Sequence, residues 1–306
     1  MSPRPAAVPY RELTVVSADG SRLHVEVHGA EGAPAIVLSH GWTCSTRFWA
    51  AQIADLARDH RVIVAYDQRG HGASPVPATY AAYSTRALAD DLEAVAAATL
   101  APGEQAVFAG HSMGGMTLMA AAERPGFRER AAAVLLCSTG PADLVAEATV
   151  LPLRPGRART WLTARVLGAR APLGPVTAIS RKILKYGTMG PGSAPDRVDA
   201  CARIVHACPR RARIGWSKVL ETLDLRAGVR ALTMPAAVLV GTADRLTPPV
   251  HARALAEALP HPLGLTELTG QGHMTPVEAP EAVTARIREL AATYITTGNT
   301  QVKEGA

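Results

Sequence analysis

AVFAGHSMGGMTLMAAAE, residues 106–123, reads as a short apolar strand, a glycine-rich turn about a serine, and an apolar helix. Strand, G-x-S-x-G turn and helix in that order predict a nucleophile elbow, in which the serine hydroxyl is held out at the edge of a sheet. In so sharp a turn, side chains at positions 110 and 114 would collide with neighbouring backbone, hence Gly110 and Gly114 on either side of Ser112. A chance G-x-S-x-G is easy to find in a chain with 26 glycines. The strand before it and the helix after it give the motif its weight.

Outward from the elbow, Ala35–Ser39, Val62–Tyr66, Ala133–Cys137 and Ala236–Gly241 are further apolar runs, as expected of strands buried on both faces of a parallel sheet. Leu13–Ser17 and Leu23–His28 alternate about Asp19-Gly20 and predict an antiparallel hairpin. Leu265–Leu268 is a last strand. Leu88, Leu92 and Val95 form one helical stripe, and Val283, Ile287, Leu290 and Tyr294 form another. Thr247, before Pro248 and Pro249, is expected to cap a helix. Strands alternating with helices predict the α/β class, a doubly wound and mostly parallel sheet. Between Pro141 and about Gly215 the pattern gives way to prolines, glycines and arginines, with weak helical periodicity around Trp161–Leu167. Residues 1–140 and 216–306 are therefore expected to form one core, with 141–215 a basic, mainly helical insertion.

Hydrophobic residues make up 48% of the 306 and charged residues 19%, which excludes wholesale disorder. No 18 apolar residues run together, so no membrane-spanning helix is expected. The first ten residues carry no apolar core of a signal peptide. Cys44, Cys137, Cys201 and Cys208 form no CxxC pair and have no histidine partner at metal spacing. Free thiols, a cytoplasmic location and neither metal nor cofactor are the corresponding expectations. The spacing of Cys201 and Cys208 leaves their pairing open. From Pro141 to Lys218, 14 basic against four acidic residues leave +10, so with a net charge of +6 the rest of the chain carries −4. Within 141–215 the aromatics are Trp161 and Tyr186 alone, too few for a base-stacking surface, which argues against a nucleic-acid partner.

A serine hydroxyl is a weak nucleophile and needs a positioned base. Of the ten histidines, His273 in Gly270-Gln271-Gly272-His273-Met274 lies in a loop between the last strand and the last helix, where it can reach an elbow. His24 and His28 fall in the hairpin, His60 at a helix end, and His206, His251 and His261 in helices or turns. The orienting acid should end a strand. Asp244 follows Ala236–Val240 directly, and Asp143, after the strand ending at Cys137, is its rival. The order Ser112, Asp244, His273 is that of the elbow-bearing folds. Two backbone N–H groups must face the developing oxyanion. Met113 follows the nucleophile and supplies one; Trp42, behind the turn-permitting Gly41, supplies the other.

His40-Gly41-Trp42, Asp67-Gln68-Arg69-Gly70-His71-Gly72, Gly110–Gly115, Gly241–Asp244 and Gly272-His273 together resemble, in order, the landmarks of the α/β-hydrolase superfamily. The resemblance covers the chain except the basic insertion. It implies that the insertion follows the sixth strand as a cap that sets substrate choice, and that Asp67–Gly72 structures a loop beside the site. Epoxide hydrolases and haloalkane dehalogenases of this superfamily carry aspartate where Ser112 stands, so serine points to acyl transfer. The G-H-S-M-G-G elbow resembles the esterase and monoacylglycerol-lipase branch, and a serine esterase acting on a small-molecule ester is the leading expectation. Thioesterases, carbon–carbon bond hydrolases and cofactor-free perhydrolases share the constellation, and a non-catalytic ligand-binding member is the reading from a different class.

The basic segment has a plain reading as a solvated face. Its alternative is an anionic partner, either an acidic or lipid-like ester or an anionic membrane surface. Arg154, Arg157, Arg165 and Arg170 surround Trp161, Leu162, Val166 and Leu167, which at helical spacing could lie on an interface or line a pocket mouth. Oligomeric state is not legible in the sequence.

Overall fold

The computed structural model describes residues 10–29, 33–59 and 61–295. The first nine residues and His60, both considered above, lie outside the described residues. Eight strands are described: β1 (Tyr10–Val16), β2 (Arg22–His28), β3 (Ala35–Ser39), β4 (Val62–Tyr66), β5 (Ala106–His111), β6 (Ala131–Cys137), β7 (Ala236–Gly241) and β8 (Pro262–Leu268). They form one sheet in the order β1-β2-β4-β3-β5-β6-β7-β8. β1 and β2 are the expected hairpin, with Leu13 opposite Val25, and β2 runs antiparallel to β4. Every other pairing is parallel. The doubly wound, mostly parallel α/β sheet is thus present, with its antiparallel pairings at one edge.

Alternate residues of each central strand enter two separate apolar layers. On one face Val37, Val64, Phe108, Leu136 and Val238 meet Leu88 and Leu92 of α2 (Thr85–Thr99), preceded in the chain by α1 (Ala50–Leu56), together with α3 (Met113–Ala121) and Phe127 of α4 (Pro125–Arg130). On the other, Ile36, Leu38, Val107, Leu135 and Leu239 meet Ile53 and Leu56 of α1 and the C-terminal stripe Val283, Ile287 and Leu290. Burying both faces of these strands accounts for their continuous apolar sequence. Ser84 caps α2 by accepting from the Ala87 amide at 3.1 Å.

After β6 the chain leaves the sheet for α5 (Leu144–Glu147), α6 (Arg157–Leu167), α7 (Ala178–Thr188), α8 (Pro195–Ala207) and α9 (Arg210–Thr222). α9 continues beyond Gly215, so the position expected as a boundary falls inside a helix. Then follow α10 (Arg226–Ala231), α11 (Pro249–Ala258), α12 (Thr275–Glu278) and α13 (Pro280–Tyr294). All four cysteines are buried and free. Among the described residues no helix is long and apolar enough to cross a membrane, and no cluster of His, Cys, Asp and Glu could hold a metal ion.

Candidate active site

Ser112 stands between β5 and α3 with φ 52° and ψ −117°, a backbone region that non-glycine residues rarely enter. Its amide donates to Cys137 O at 2.9 Å, and its carbonyl accepts from Thr139 Oγ1 at 2.7 Å, so β6 holds the turn from both sides. A Cβ at Gly110 would come within 2.5 Å of Gly114 C, and one at Gly114 would run into Ser39 O. The two glycines are required by contact, as the turn predicted.

Asp244 lies just past the end of β7 and is 3% exposed. Oδ1 accepts from the Leu246 and Thr247 amides at 2.8 and 2.9 Å, and Oδ2 accepts from Thr247 Oγ1 at 2.9 Å. Oδ2 is also 2.8 Å from His273 Nδ1. That contact requires a proton on Nδ1 and leaves Nε2 as the acceptor nitrogen. The expectation that Thr247 caps a helix is corrected here. α11 begins at Pro249 after Pro248, while the Thr247 hydroxyl, 3.1 Å from His273 Nδ1, turns to the Asp–His pair. Pro248 occupies the cap position, so Thr247 lies one residue outside it and its hydroxyl donates to the buried carboxylate instead. Asp143 is elsewhere. Its side chain is 60% exposed and pairs with Arg226.

Ser112 and His273 line the same cavity, although no hydrogen bond joins their side chains here. Such bonds are often long before a ligand binds and tighten in the complex. Gly41 lies against the elbow: a Cβ there would be 3.1 Å from Ser112 Cβ and 2.7 Å from His111 Nδ1. The Trp42 amide follows Gly41 in the chain, and the Met113 amide follows Ser112 at the first residue of α3. Neither amide has an acceptor among the described residues.

Two buried histidines brace the Gly41 loop. His40 donates from Nδ1 to Gly41 O at 2.8 Å and accepts at Nε2 from the Gln68 amide at 3.0 Å. His71 Nε2 accepts from the Thr43 amide at 3.1 Å. Each must be neutral to accept. Burial pushes His40 down to about 4 and His71 down to about 3, His40 also bearing on His71 as a neighbouring charge. Asp67 accepts from the Thr46 and Ala73 amides, both at 2.8 Å, and Arg69 forms a fork with Asp91 at 3.0 and 2.6 Å. The segment Asp67–Gly72 is scaffolding for the loop that carries Trp42.

Residues that the sequence reading missed surround His273. His111 Nε2 donates to His273 O at 2.8 Å. The amides of His273 and Met274 both donate to Thr188 O at the end of α7, at 2.8 and 3.2 Å. Glu278, 3% exposed, accepts from Gly272 N, Met274 N, Gly190 N and Ser193 Oγ at 2.6–3.1 Å. The only sequence signal for Glu278 was its closeness to His273.

The cavity has a volume of about 470 Å³, ordinary for a small-molecule site. Trp42, His111, Ser112 and His273 line it together with largely apolar residues of the insertion, from Leu144, Val145, Val150 and Leu151 to Val166, Leu167, Leu173, Ile183 and Leu184. Arg213 on its wall donates to Ala169 O at 2.6 Å and to Ala171 O, tying the α6–α7 connection down.

Several known proteins are similar to this chain. The chain is 26% identical over 272 residues to 3-oxoadipate enol-lactonase 2 of Acinetobacter baylyi, covering 87% of this chain and 92% of that one. It is 29% identical over 286 residues to the pimeloyl-(acyl-carrier protein) methyl ester esterase of Xylella fastidiosa, covering 89% and 99%. A thermophilic esterase from Thermogutta terrifontis shares the fold with a TM-score of 0.75 at 24% identity, over 94% of this chain and 100% of that one. The sequence profile of the alpha/beta hydrolase family matches residues 36–286, and the chain belongs to that family.

Proposed function

We propose that this hydrolase cleaves carboxylic esters through an acyl-enzyme on Ser112. Ser112 Oγ attacks the ester carbonyl carbon while His273 Nε2 takes the hydroxyl proton. The carbonyl oxygen becomes an oxyanion that accepts from the Trp42 and Met113 amides. Asp244 keeps the imidazole in the tautomer that can accept and stabilises it once charged. Collapse of the tetrahedral intermediate breaks the bond to the alkoxy oxygen, which leaves as the alcohol with the proton from His273. Water then gives a proton to His273 and its oxygen to the acyl carbon. A second collapse frees the acid and returns the proton to Ser112.

The observation that carries this reading is the 2.8 Å contact between His273 Nδ1 and Asp244, in a histidine that lines the same cavity as Ser112. The apolar walls suit an apolar acyl or alkyl group. The test is a burst of p-nitrophenol from a p-nitrophenyl ester, with the acyl adduct weighed on the intact protein. The wild type should show both. Ser112→Ala should show neither and should lose about 10⁴-fold or more in kcat. Retention of a tenth of the activity would end the assignment. A parallel panel with a thioester and a β-diketone separates the ester reading from its relatives in chemistry.

A further inference from the structure

The inserted helices are built inside out. α6 buries Arg159, whose guanidinium donates to Ala146 O at 2.6 Å, and Thr163, yet it exposes Trp161 by 58% and Val166 by 53%. α7 exposes Ile179 by 71% and Ile183 by 68%. Of the 13 large apolar side chains exposed among the described residues, eight fall between Leu153 and Tyr186, so the exposure is concentrated, not scattered. Leu162 and Val166 are one turn apart, as are Ile179, Ile183 and Tyr186 in succession, giving each helix a stripe. Val166, Ile183 and Tyr186 also line the cavity, so both stripes run out of its mouth onto the surface.

Along the segment that carries these stripes the charges have one sign, although Asp199 of α8 pairs with Arg181 and Glu221 of α9 lines the cavity. Residues 149–195 contain eight basic and no acidic side chains. Arg157, Arg165 and Lys182 are exposed and have no carboxylate partner among the described residues, and the Arg165 guanidinium lies 5.2 Å from the Trp161 ring centroid. Two copies of this surface would repel each other. A layer of anionic groups above hydrocarbon answers both its features, because arginine and lysine can hold their heads among phosphates while the apolar residues enter the acyl boundary.

We infer that the exposed face of α6 and α7 docks on an anionic lipid surface, with the mouth of the candidate catalytic cavity turned toward it. The inference stands apart from ester hydrolysis, because docking needs no turnover.

The test is co-sedimentation of the intact Ser112→Ala protein with phosphatidylglycerol vesicles and with phosphatidylcholine vesicles. Binding should favour phosphatidylglycerol and weaken as NaCl rises from about 20 to about 300 mM, as screening shortens. Arg157→Gln/Arg165→Gln/Lys182→Gln should lower the partition constant about 100-fold, at about fivefold per basic residue. Trp161→Ser/Ile179→Ser should lower it as well. Both sets of substitutions, made in the wild-type background, should leave the melting temperature and hydrolysis of a soluble short-chain ester unchanged, since none of these side chains is buried or lines the cavity. Equal binding to both vesicles, indifference to either set of substitutions, or a stable dimer that Trp161→Ser/Ile179→Ser dissociates would each overturn the inference. Failure of the wild type to hydrolyse any ester would end the catalytic reading and leave the vesicle result standing.

Discussion

Glu278 brackets His273: its carboxylate accepts from the amides before and after that residue, Gly272 N at 3.1 Å and Met274 N at 3.0 Å. The same carboxylate takes Gly190 N and Ser193 Oγ, both at 2.6 Å, from the segment after α7. One buried anion thus fixes the loop of the candidate base and a wall of the cavity together. A Cβ on Gly272 would come within 2.5 Å of Gly190 N, so the two backbones already touch.

Glu278→Gln should therefore act through position. The amide cannot accept at its nitrogen, and one or two buried N–H groups lose their acceptor at about 1–3 kcal/mol each. We expect kcat to fall about 10–100-fold with KM changed little, since the apolar walls survive while the base drifts. Steady-state kinetics on a p-nitrophenyl ester checks the split. An equal loss from a rise in KM alone would assign Glu278 to binding instead.

Asp244→Asn should cost about 10⁴-fold in kcat, because an amide can stabilise neither the acceptor tautomer nor the imidazolium. Asp143→Asn removes only an exposed pairing with Arg226 and should be mild. The reverse order of severity in the same assay would transfer the role of acid to Asp143.

Most of this site could be read before any coordinates. Ser112 and Asp244 fall just past strands buried on both faces, the easiest elements to recognise in a sequence, and His273 falls in the loop after β8. What could not be read depends on contacts distant in the chain. Thr247 has the neighbours of a cap but spends its hydroxyl on Asp244, which only the folded loop brings to it. Glu278 finds its partners at Gly190 and Ser193, more than 80 residues away. α6 defeats periodicity for another reason. Its apolar side chains face a cavity and solvent, so the pattern that elsewhere marks the core marks the outside here.

Acid should loosen the Gly41 loop before it reaches the carboxylates. His40 and His71 are pushed down to about 4 and about 3 by burial, below an ordinary histidine near 6.5. Between those values the unfolded chain binds protons that the folded chain refuses, so stability falls as pH falls. The loss begins near pH 6.5 and is complete near 4 for His40 and near 3 for His71; above 6.5 the two contribute no slope. Each unit is worth about 1.4 kcal/mol, giving a loss of a few kcal/mol per histidine. Thermal melts from pH 7.5 to 4 should show the decline. His40→Gln should flatten part of it, and an unchanged slope would count against His40 as its source.

Gly41→Ala should weaken turnover more than folding. The new methyl would press on His111 Nδ1 at 2.7 Å and Ser112 Cβ at 3.1 Å, moving the Trp42 amide away from the site. Loss of one oxyanion donor costs about 10²–10³-fold in kcat, and KM should stay within a few-fold. Turnover at wild-type level would remove Trp42 from the oxyanion role.

The φ of 52° at Ser112 means that the fold holds its candidate nucleophile against the backbone's own preference, at about 1–3 kcal/mol. Alanine there would inherit the strain; glycine would shed it. Ser112→Gly should thus melt higher than Ser112→Ala while being equally inert. Selection for durability alone would discard this serine first, and its presence marks how much sturdiness the molecule surrenders to keep one hydroxyl at the sheet edge.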